Sequence, residues 1–84
     1  MKFERQALRD VILVIPDRHG DARGFFSETF RANTYESAGI AGPFVQDNHA
    51  WSADAGVLRG LHFQAPPKAQ AKLIRCTRGA ILDV

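Results

Sequence analysis

The sequence predicts an all-β fold with one short helix. Short apolar runs rich in β-branched residues recur along the chain, and glycine, proline or aspartate bounds each of them. Only one segment has the residues expected at helix ends, and no repeat or low-complexity stretch interrupts the pattern. Several short strands at this spacing are typical of a β-sandwich or a β-barrel.

The first predicted strands lie on either side of a turn. Residues 11–16, VILVIP, form a β-branched run that proline closes. Residues 17–24, DRHGDARG, are rich in glycine and aspartate, which predicts a turn. Residues 25–30, FFSETF, are predicted to form the next strand.

A short helix is expected over residues 33–39. Asn33, with Glu36 three residues later, resembles a capping box at the start of this segment. Gly39 is expected to stop the helix, because glycine readily adopts the left-handed conformation that follows a last turn.

The rest of the chain is predicted to contain four strands. They are residues 43–52, 57–64, 71–77 and 80–84. Residues 53–56, ADAG, predict a turn, and residues 65–70, APPKAQ, a polar loop in which two prolines prevent regular pairing. The last run, AILDV, is apolar to its end, where a domain seldom stops. We therefore expect the sequence to be part of a larger fold.

The composition is that of a small globular domain, with 84 residues, 45% hydrophobic and 24% charged. The net charge is +2 with both signs interspersed, which favours a solvated surface over a nucleic-acid interface. No run approaches the ~20 apolar residues of a membrane span, and the charged first residues lack a secretory pattern. We expect a cytoplasmic protein.

The single cysteine, Cys76, excludes an internal disulfide and predicts a small buried side chain.

Two polar side chains that are costly to bury, Arg59 and His62, interrupt the strand predicted over residues 57–64. Alternation along a regular strand places them on opposite faces. Gly60 lies between them, and a glycine inside a strand often marks a bulge. A bulge would turn both side chains inward, whereas a regular strand would separate them.

Polar side chains on neighbouring strands suggest a small-molecule site. Gln46 and Asn48 share one face of their strand, and Lys72 points from another strand. Together with Arg59 and His62 they could line the mouth of a barrel. Simpler interpretations stay open: a strand histidine is more often a structural residue than a base, a strand lysine usually extends to water, and residues 46–48 could be a turn.

A metal site is not predicted. The three histidines, His19, His49 and His62, are far apart in sequence, and glutamine stands where a His-x-His pair would need the second ligand. There is neither a glycine-rich phosphate loop before a helix nor a Gly-x-Ser-x-Gly elbow. Arg23 and Glu28 could form an ordinary surface ion pair.

Four stretches, in this order, carry a resemblance to a known family: DARGFFSETF, FVQDNHAWS, GVLRGLHFQ and AQAKLIRCTRGAILDV. The chain resembles the dTDP-4-dehydrorhamnose 3,5-epimerases. The resemblance implies a cupin-like double-stranded β-helix, or jelly roll, that is partial here, with residues 1–84 as the N-terminal part of a single domain. It also implies epimerisation at C3 and C5 of dTDP-4-dehydro-6-deoxy-D-glucose in dTDP-L-rhamnose biosynthesis, no cofactor, and a homodimer.

The resemblance also assigns roles to residues. His62 matches the catalytic base, and Lys72 matches the lysine near the C4 carbonyl of the sugar. Seven positions match substrate-binding residues: Arg23, Phe26, Glu28, Gln46, Asp47, Asn48 and Arg59. Of these, Arg59 matches an arginine at the diphosphate. Arg23 and Glu28 match residues that reach the nucleotide, often across a dimer interface, and Phe26 matches a contact to thymine.

Two further residues of the family's chemistry have no match here. A tyrosine returns the proton and an aspartate orients the histidine, and both lie in the family's C-terminal half. Tyr35 and Asp83 do not correspond to them by position. We therefore expect the chain alone to be inactive or nearly so. The alternatives are a non-catalytic module that binds nucleotide sugars, and a related deoxysugar epimerase or 3,4-ketoisomerase.

Overall fold

A computed structural model describes all 84 residues, and the chain divides into two compact units, Met1–His49 and Ala50–Val84. The elements in chain order are β1 (Lys2–Arg5), β2 (Ile12–Ile15), β3 (His19–Asp21), β4 (Gly24–Phe26) and α1 (Ala32–Ser37). All of them lie in the first unit. The predicted all-β chain with one short helix is confirmed at this level, but the strands form two separate two-stranded sheets, and neither sheet closes.

The first sheet is an antiparallel hairpin of β1 and β2, in which Phe3 lies opposite Val14. The N–H of Gln6 donates to the carbonyl of Val11 at 3.2 Å and continues the pairing into the loop. Phe3 and Val14 are half-buried on one face, whereas Leu13, on the other, is exposed. β2 confirms the strand predicted over residues 11–16. β1 was not predicted, because three of its four residues are charged.

The second sheet is a hairpin of β3 and β4, in which His19 lies opposite Phe26. The turn predicted over residues 17–24 is therefore wrong in extent, since only two residues separate the strands. The strand predicted over residues 25–30 ends at Phe26. Beyond Phe26 a side chain, and not a backbone N–H, bonds to the neighbouring segment. Ser27 Oγ donates to the carbonyl of Asp17 at 2.6 Å, outside either sheet.

Helix α1 ends at Ser37, and Gly39 follows its C-cap and stops it as predicted, but the helix begins differently from the prediction. The N-cap is Arg31, which makes no capping bond through its side chain, so the prediction of Asn33 as the cap is wrong. At the other end, the N–H of Ile40 donates to the carbonyl of Tyr35 at 2.9 Å, and the N–H of Gly39 donates to Glu36 at 2.9 Å. These two bonds form a Schellman motif, which requires the left-handed φ of +85° at Gly39.

Replacing Gly39 by alanine is expected to destabilise the first unit by about 1–2 kcal/mol, because a Cβ is unfavourable at positive φ. The added Cβ would lie 3.1 Å from Arg5 Nη2, the end of a flexible side chain that can move away. Urea denaturation followed by circular dichroism would measure the loss. Gly39→Asn is the matched control and should lose less, because asparagine tolerates this conformation. Equal stability of the alanine variant and the unaltered chain would contradict the argument.

The core of the first unit is built around Tyr35, whose side chain is 2% exposed. The rings of Phe3 and Phe30 approach it edge-on, with centroid distances of 5.6 and 4.8 Å. Phe44 extends the cluster through an edge contact with Phe30 at 6.0 Å. The Tyr35 hydroxyl donates to the carbonyl of Thr29 at 2.7 Å, so the buried polar atom is satisfied. This aromatic cluster connects the hairpin of β1 and β2 to α1.

Residues 41–84 contain no helix or strand, and every one of them is exposed. The strands predicted over residues 43–52, 57–64, 71–77 and 80–84 are therefore wrong for this chain. Apolar side chains on these segments remain in solvent; Leu58 is 92% and Phe63 is 82% exposed. A strand is stabilised by pairing and by a packed face, and no segment of this chain supplies either to these runs.

The turns predicted in this part of the chain are retained. Residues 53–56 turn, with φ of +79° at Gly56. The N–H of Lys68 donates to the carbonyl of Ala65 at 3.1 Å across the two prolines. Cys76 is exposed, so its predicted burial is wrong, because the strand predicted over residues 71–77, to which it would belong, does not form. No helix in the structure combines the length and apolar character needed to cross a bilayer.

Candidate functional site

The turn between β3 and β4 holds Arg23 against Asp21. The Arg23 N–H donates to Asp21 Oδ1 at 2.8 Å, and its Nε donates to Oδ1 and Oδ2 at 3.3 and 3.2 Å. The guanidinium Nη2 donates to Oδ2 at 2.6 Å. These hydrogen bonds from Arg23 lower the pKa of the Asp21 carboxyl. Asp21 thus fixes one edge of the guanidinium and leaves the Nη1 edge available to an anionic ligand.

Glu28 pairs with Arg31 instead of Arg23. Arg31 Nη2 donates to Glu28 Oε2 at 2.9 Å, and Arg31 Nε donates to Oε1 at 3.1 Å. The surface ion pair between Arg23 and Glu28, which the sequence left open, is therefore wrong. Arg23 pairs with the residue two positions before it, and Glu28 pairs with the residue three positions after it. Each charged side chain thus pairs with a residue that is closer in sequence than the other.

Two shallow depressions adjoin on the β3–β4 hairpin and share His19 and Phe26. One, of about 240 Å³, includes Glu28, and the other, of about 260 Å³, includes Arg23. The structure thus brings three predicted substrate-binding residues of the first unit to neighbouring surfaces. Pockets that enclose a drug-sized ligand typically measure about 300–1,000 Å³. Each depression can therefore contact one portion of a large ligand but cannot enclose it.

His19 and Asp17 line this surface but were not predicted as site residues. His19 was considered only as a metal ligand in a turn, although its pairing opposite Phe26 places it beside the depressions. The N-terminal ammonium of Met1 donates to Asp17 Oδ2 and lowers the pKa of that carboxyl. The sequence carries no strand signal here, because residues 19–21, HGD, contain no apolar residue and belong to a run rich in glycine and aspartate.

Acidification is expected to release Arg23 from Asp21. The pKa of the Asp21 carboxyl is lowered below its ordinary 3.8, so the pair contributes to stability above that pH and is lost as the pH falls through the folded pKa. A carboxyl-detected NMR titration should give a midpoint below 3.8, with the Arg23 amide shifting in parallel. In an Asp21→Asn variant the Arg23 amide should not follow this transition. A midpoint at or above the ordinary value would contradict the pairing.

Gln46 and Asn48 contact each other near the end of the first unit. Gln46 Nε2 donates to Asn48 Oδ1 at 3.3 Å. These two residues and Asp47 between them are exposed and lie in no strand. The proposed common face of Gln46 and Asn48 is compatible with this contact, and their amides are accessible to a ligand.

In the second unit, Arg59 is anchored to the residues that precede the turn over residues 53–56. Its Nη2 donates to the carbonyl of Trp51 at 3.0 Å, and its Nε donates to Ser52 Oγ at 3.2 Å. Gly60 has a φ of +114°, so period-two alternation does not hold through this segment. A pocket shared by the side chains of Arg59 and His62 stays a prediction.

Lys72 reaches the backbone of the predicted catalytic base. Its Nζ donates to the carbonyl oxygen of His62 at 2.7 Å, across ten residues of sequence. An ammonium has three donors, so two remain for another acceptor. The structure thus brings the ammonium of Lys72 to the backbone of His62. No group of three or more His, Cys, Asp or Glu side chains lies close enough together to hold a metal ion.

Comparison with known proteins agrees with the resemblance drawn from the sequence. The family model described as dTDP-4-dehydrorhamnose 3,5-epimerase matches residues 5–84. Proteins of that name from Pseudomonas aeruginosa and Escherichia coli are 52% and 48% identical, each over 100% of this chain and 46% and 45% of its own length. One from Sinorhizobium fredii is 48% identical, over 100% of this chain and 43% of its own length. The chain thus spans less than half the length of these relatives. No solved structure matches it.

Proposed function

The chain belongs to the dTDP-4-dehydrorhamnose 3,5-epimerase family, and we propose that it carries the proton-abstracting part of such an enzyme. The reaction inverts C3 and C5 of dTDP-4-dehydro-6-deoxy-D-glucose, in the formation of dTDP-L-rhamnose. The observation that carries the proposal is the family match over residues 5–84, which includes both His62 and Lys72.

The proposed chemistry is proton removal next to a ketone. His62 takes the proton from C3, and later from C5, because histidine can act as a base at neutral pH. The electron pair of the broken C–H bond moves to the C4 oxygen, where Lys72 stabilises the enolate. Support comes from the 2.7 Å bond between Lys72 Nζ and the His62 carbonyl, which holds the ammonium at the backbone of the residue that carries the base. Returning a proton to the opposite face inverts each centre, and no redox or metal step is required.

The remaining predicted residues bind the nucleotide sugar in this proposal. Arg59 contacts the diphosphate, and residues 46–48 contact the nucleotide and sugar. Arg23, Glu28 and Phe26 bind the nucleotide, which is supported by their position along two adjoining depressions of the first unit. The small size of those depressions fits residues that contact one end of a substrate.

The finer architecture is also part of the proposal. Residues 1–84 are the N-terminal part of one cupin-like jelly-roll domain, and the whole enzyme is a cytoplasmic homodimer. Support comes from the family match and from the strand-like runs over residues 43–84, whose apolar side chains are exposed in this chain. In a closed jelly roll those side chains would be covered by paired strands.

We expect the chain alone to turn over little or no substrate, because neither Tyr35 nor Asp83 matches the family's acid or orienting aspartate. The bond from Tyr35 to Thr29 and its burial in the aromatic cluster agree with a structural role for this tyrosine. A non-catalytic module that binds nucleotide sugars is the second candidate. The chain has the residues that match the family's binding positions, and no residue of it matches the proton-returning acid.

Solvent deuterium uptake tests the proposal. The chain is incubated with dTDP-4-dehydro-6-deoxy-D-glucose in heavy water, and a parallel sample contains a chimera in which it replaces the matching segment of the Escherichia coli relative. We expect label at C3 and C5 with inversion in the chimera, and little or none in the chain alone. If the chimera folds and binds dTDP but leaves the substrate unlabelled, the second candidate, a non-catalytic binding module, is favoured. Label with inversion at only one centre would indicate a related epimerase.

A further inference from the structure

We propose that Ser52, together with the backbone carbonyl of Trp51, positions the Arg59 guanidinium for a diphosphate group. The inference rests on the proposed function and adds a residue to it. Ser52 does not touch substrate in this hypothesis. It acts through Arg59 and is a positioning residue.

The hydrogen bonds of Arg59 occupy one edge of its guanidinium. Nε donates to Ser52 Oγ at 3.2 Å, and Nη2 donates to the Trp51 carbonyl at 3.0 Å. A guanidinium carries five N–H donors in a planar fork. Two of them, on Nε and Nη2, are used here, so both hydrogens of Nη1 and the second hydrogen of Nη2 remain for a ligand. The edge formed by Nη1 and the second Nη2 hydrogen can bind two anionic oxygens in a bidentate arrangement, which is the geometry that phosphate groups favour.

Arg59 differs from Arg23 in the charge of the groups that accept its hydrogen bonds. The corresponding edge of Arg23 is bound by the carboxylate of Asp21, with Nη2 to Oδ2 at 2.6 Å, which offsets the positive charge locally. The hydroxyl of Ser52 and the carbonyl of Trp51 are neutral. Arg59 is therefore held in place while it keeps its full charge, and of the two arginines it is better suited to a group as strongly anionic as a diphosphate.

The position of Ser52 in the chain explains how a single hydroxyl can act in this way. It precedes the turn over residues 53–56, and Arg59 follows that turn, so the bond spans seven residues and connects the two sides of the turn. Arg59 is otherwise exposed and, without the bond, free to exchange between rotamers. Ordering such a side chain at the moment of binding weakens affinity by about three- to tenfold.

The test measures the order of Arg59 and the affinity for dTDP in the full chain. Ser52→Ala should lower the ¹⁵N heteronuclear NOE of Arg59 Nε without ligand and raise the Kd for dTDP about three- to tenfold. Because Arg59 keeps its charge, the dependence of Kd on salt should not change. Ser52→Thr retains a hydroxyl and should restore both readouts. Ser37→Ala, which removes a hydroxyl bonded to the Asn33 carbonyl in α1, is the matched control and should change neither.

The outcomes separate the inference from the proposed function. If Arg59→Gln weakens dTDP binding but Ser52→Ala leaves the Kd and the NOE unchanged, the positioning role of Ser52 is overturned and the proposed function stands. If Ser52→Ala lowers the NOE, weakens binding and is rescued by threonine, the inference is supported. If the unaltered chain binds no dTDP at millimolar concentration, the proposed substrate recognition is overturned, and the positioning role with it.

Discussion

Replacing His62 by alanine is expected to reduce deuterium uptake at C3 and C5 by about 10²–10⁴-fold, the range associated with loss of a general base. The measurement uses the chimera in which this chain replaces the matching segment of the Escherichia coli relative, because the chain spans 45% of that protein. Both labels should fall together, since one imidazole is proposed to serve both carbons. A selective loss at C5 would instead assign the proton removal at C3 to another group.

A catalytic loss must be separated from a folding defect in this variant. Added imidazole should restore part of the uptake to His62→Ala, because it can take up the proton in the vacated space, and the Kd for dTDP should not change. Lys72→Met should also reduce uptake, through loss of the positive donor at the C4 oxygen, but imidazole should not rescue it. Full uptake in His62→Ala would disprove the assignment of the base.

Features determined by neighbouring residues were predictable from the sequence. The β-branched run over residues 11–16 forms β2, and Gly39 ends α1 because only its positive φ permits the two terminal hydrogen bonds. β1 was missed because its single apolar residue, Phe3, matters only through its position opposite Val14 and its contact with Tyr35. Such pairing depends on residues distant in sequence, which local patterns do not contain.

Local patterns also predicted strands that do not form, within residues 43–84. Their alternation is strand-like, but each ordered residue costs about 1–2 kcal/mol of backbone entropy. Burial of a large apolar side chain contributes about 1.5–3 kcal/mol, and here Leu61 and Leu82 remain 84% and 92% exposed. With no partner strand and no covering layer in this chain, ordering these runs as strands has no compensating gain.

The contacts of the candidate site residues could not be predicted from the sequence, and the roles of these residues stay predictions. Arg23 and Arg59 were predicted to bind substrate because they match motifs of the family. Their partners Asp21 and Ser52 were not predicted, because guanidinium partners depend on turn geometry. Asp21 is the last residue of β3 and binds Arg23, which lies in the two-residue turn between β3 and β4. Ser52 binds Arg59 across a longer turn. In both cases the acceptor lies just before a turn and within seven residues of the arginine.

Replacing Tyr35 by alanine is expected to unfold the first unit. Tyr35 is the one buried residue of the chain, and its ring contacts both Phe3 and Phe30. Truncation of a buried aromatic residue costs about 3–5 kcal/mol, which reaches the lower end of the stability of native domains, about 5–15 kcal/mol, and this small unit has one buried residue. Amide hydrogen exchange of β1, β2 and α1 measures the effect, and protection in all three elements should disappear together.

Two companion variants divide this effect into its parts. Tyr35→Phe keeps the ring contacts and loses only the 2.7 Å bond to the Thr29 carbonyl, so about 1 kcal/mol of destabilisation is expected. Phe63→Ala removes a ring that is 82% exposed and should change protection by no more than about 0.5 kcal/mol. Protection of the Glu4 and Leu13 amides, which form a hydrogen-bonded pair of the hairpin, that survives in Tyr35→Ala would mean that the hairpin is stable without the aromatic cluster. Loss in α1 alone would mean that Tyr35 anchors the helix to a hairpin that folds by itself.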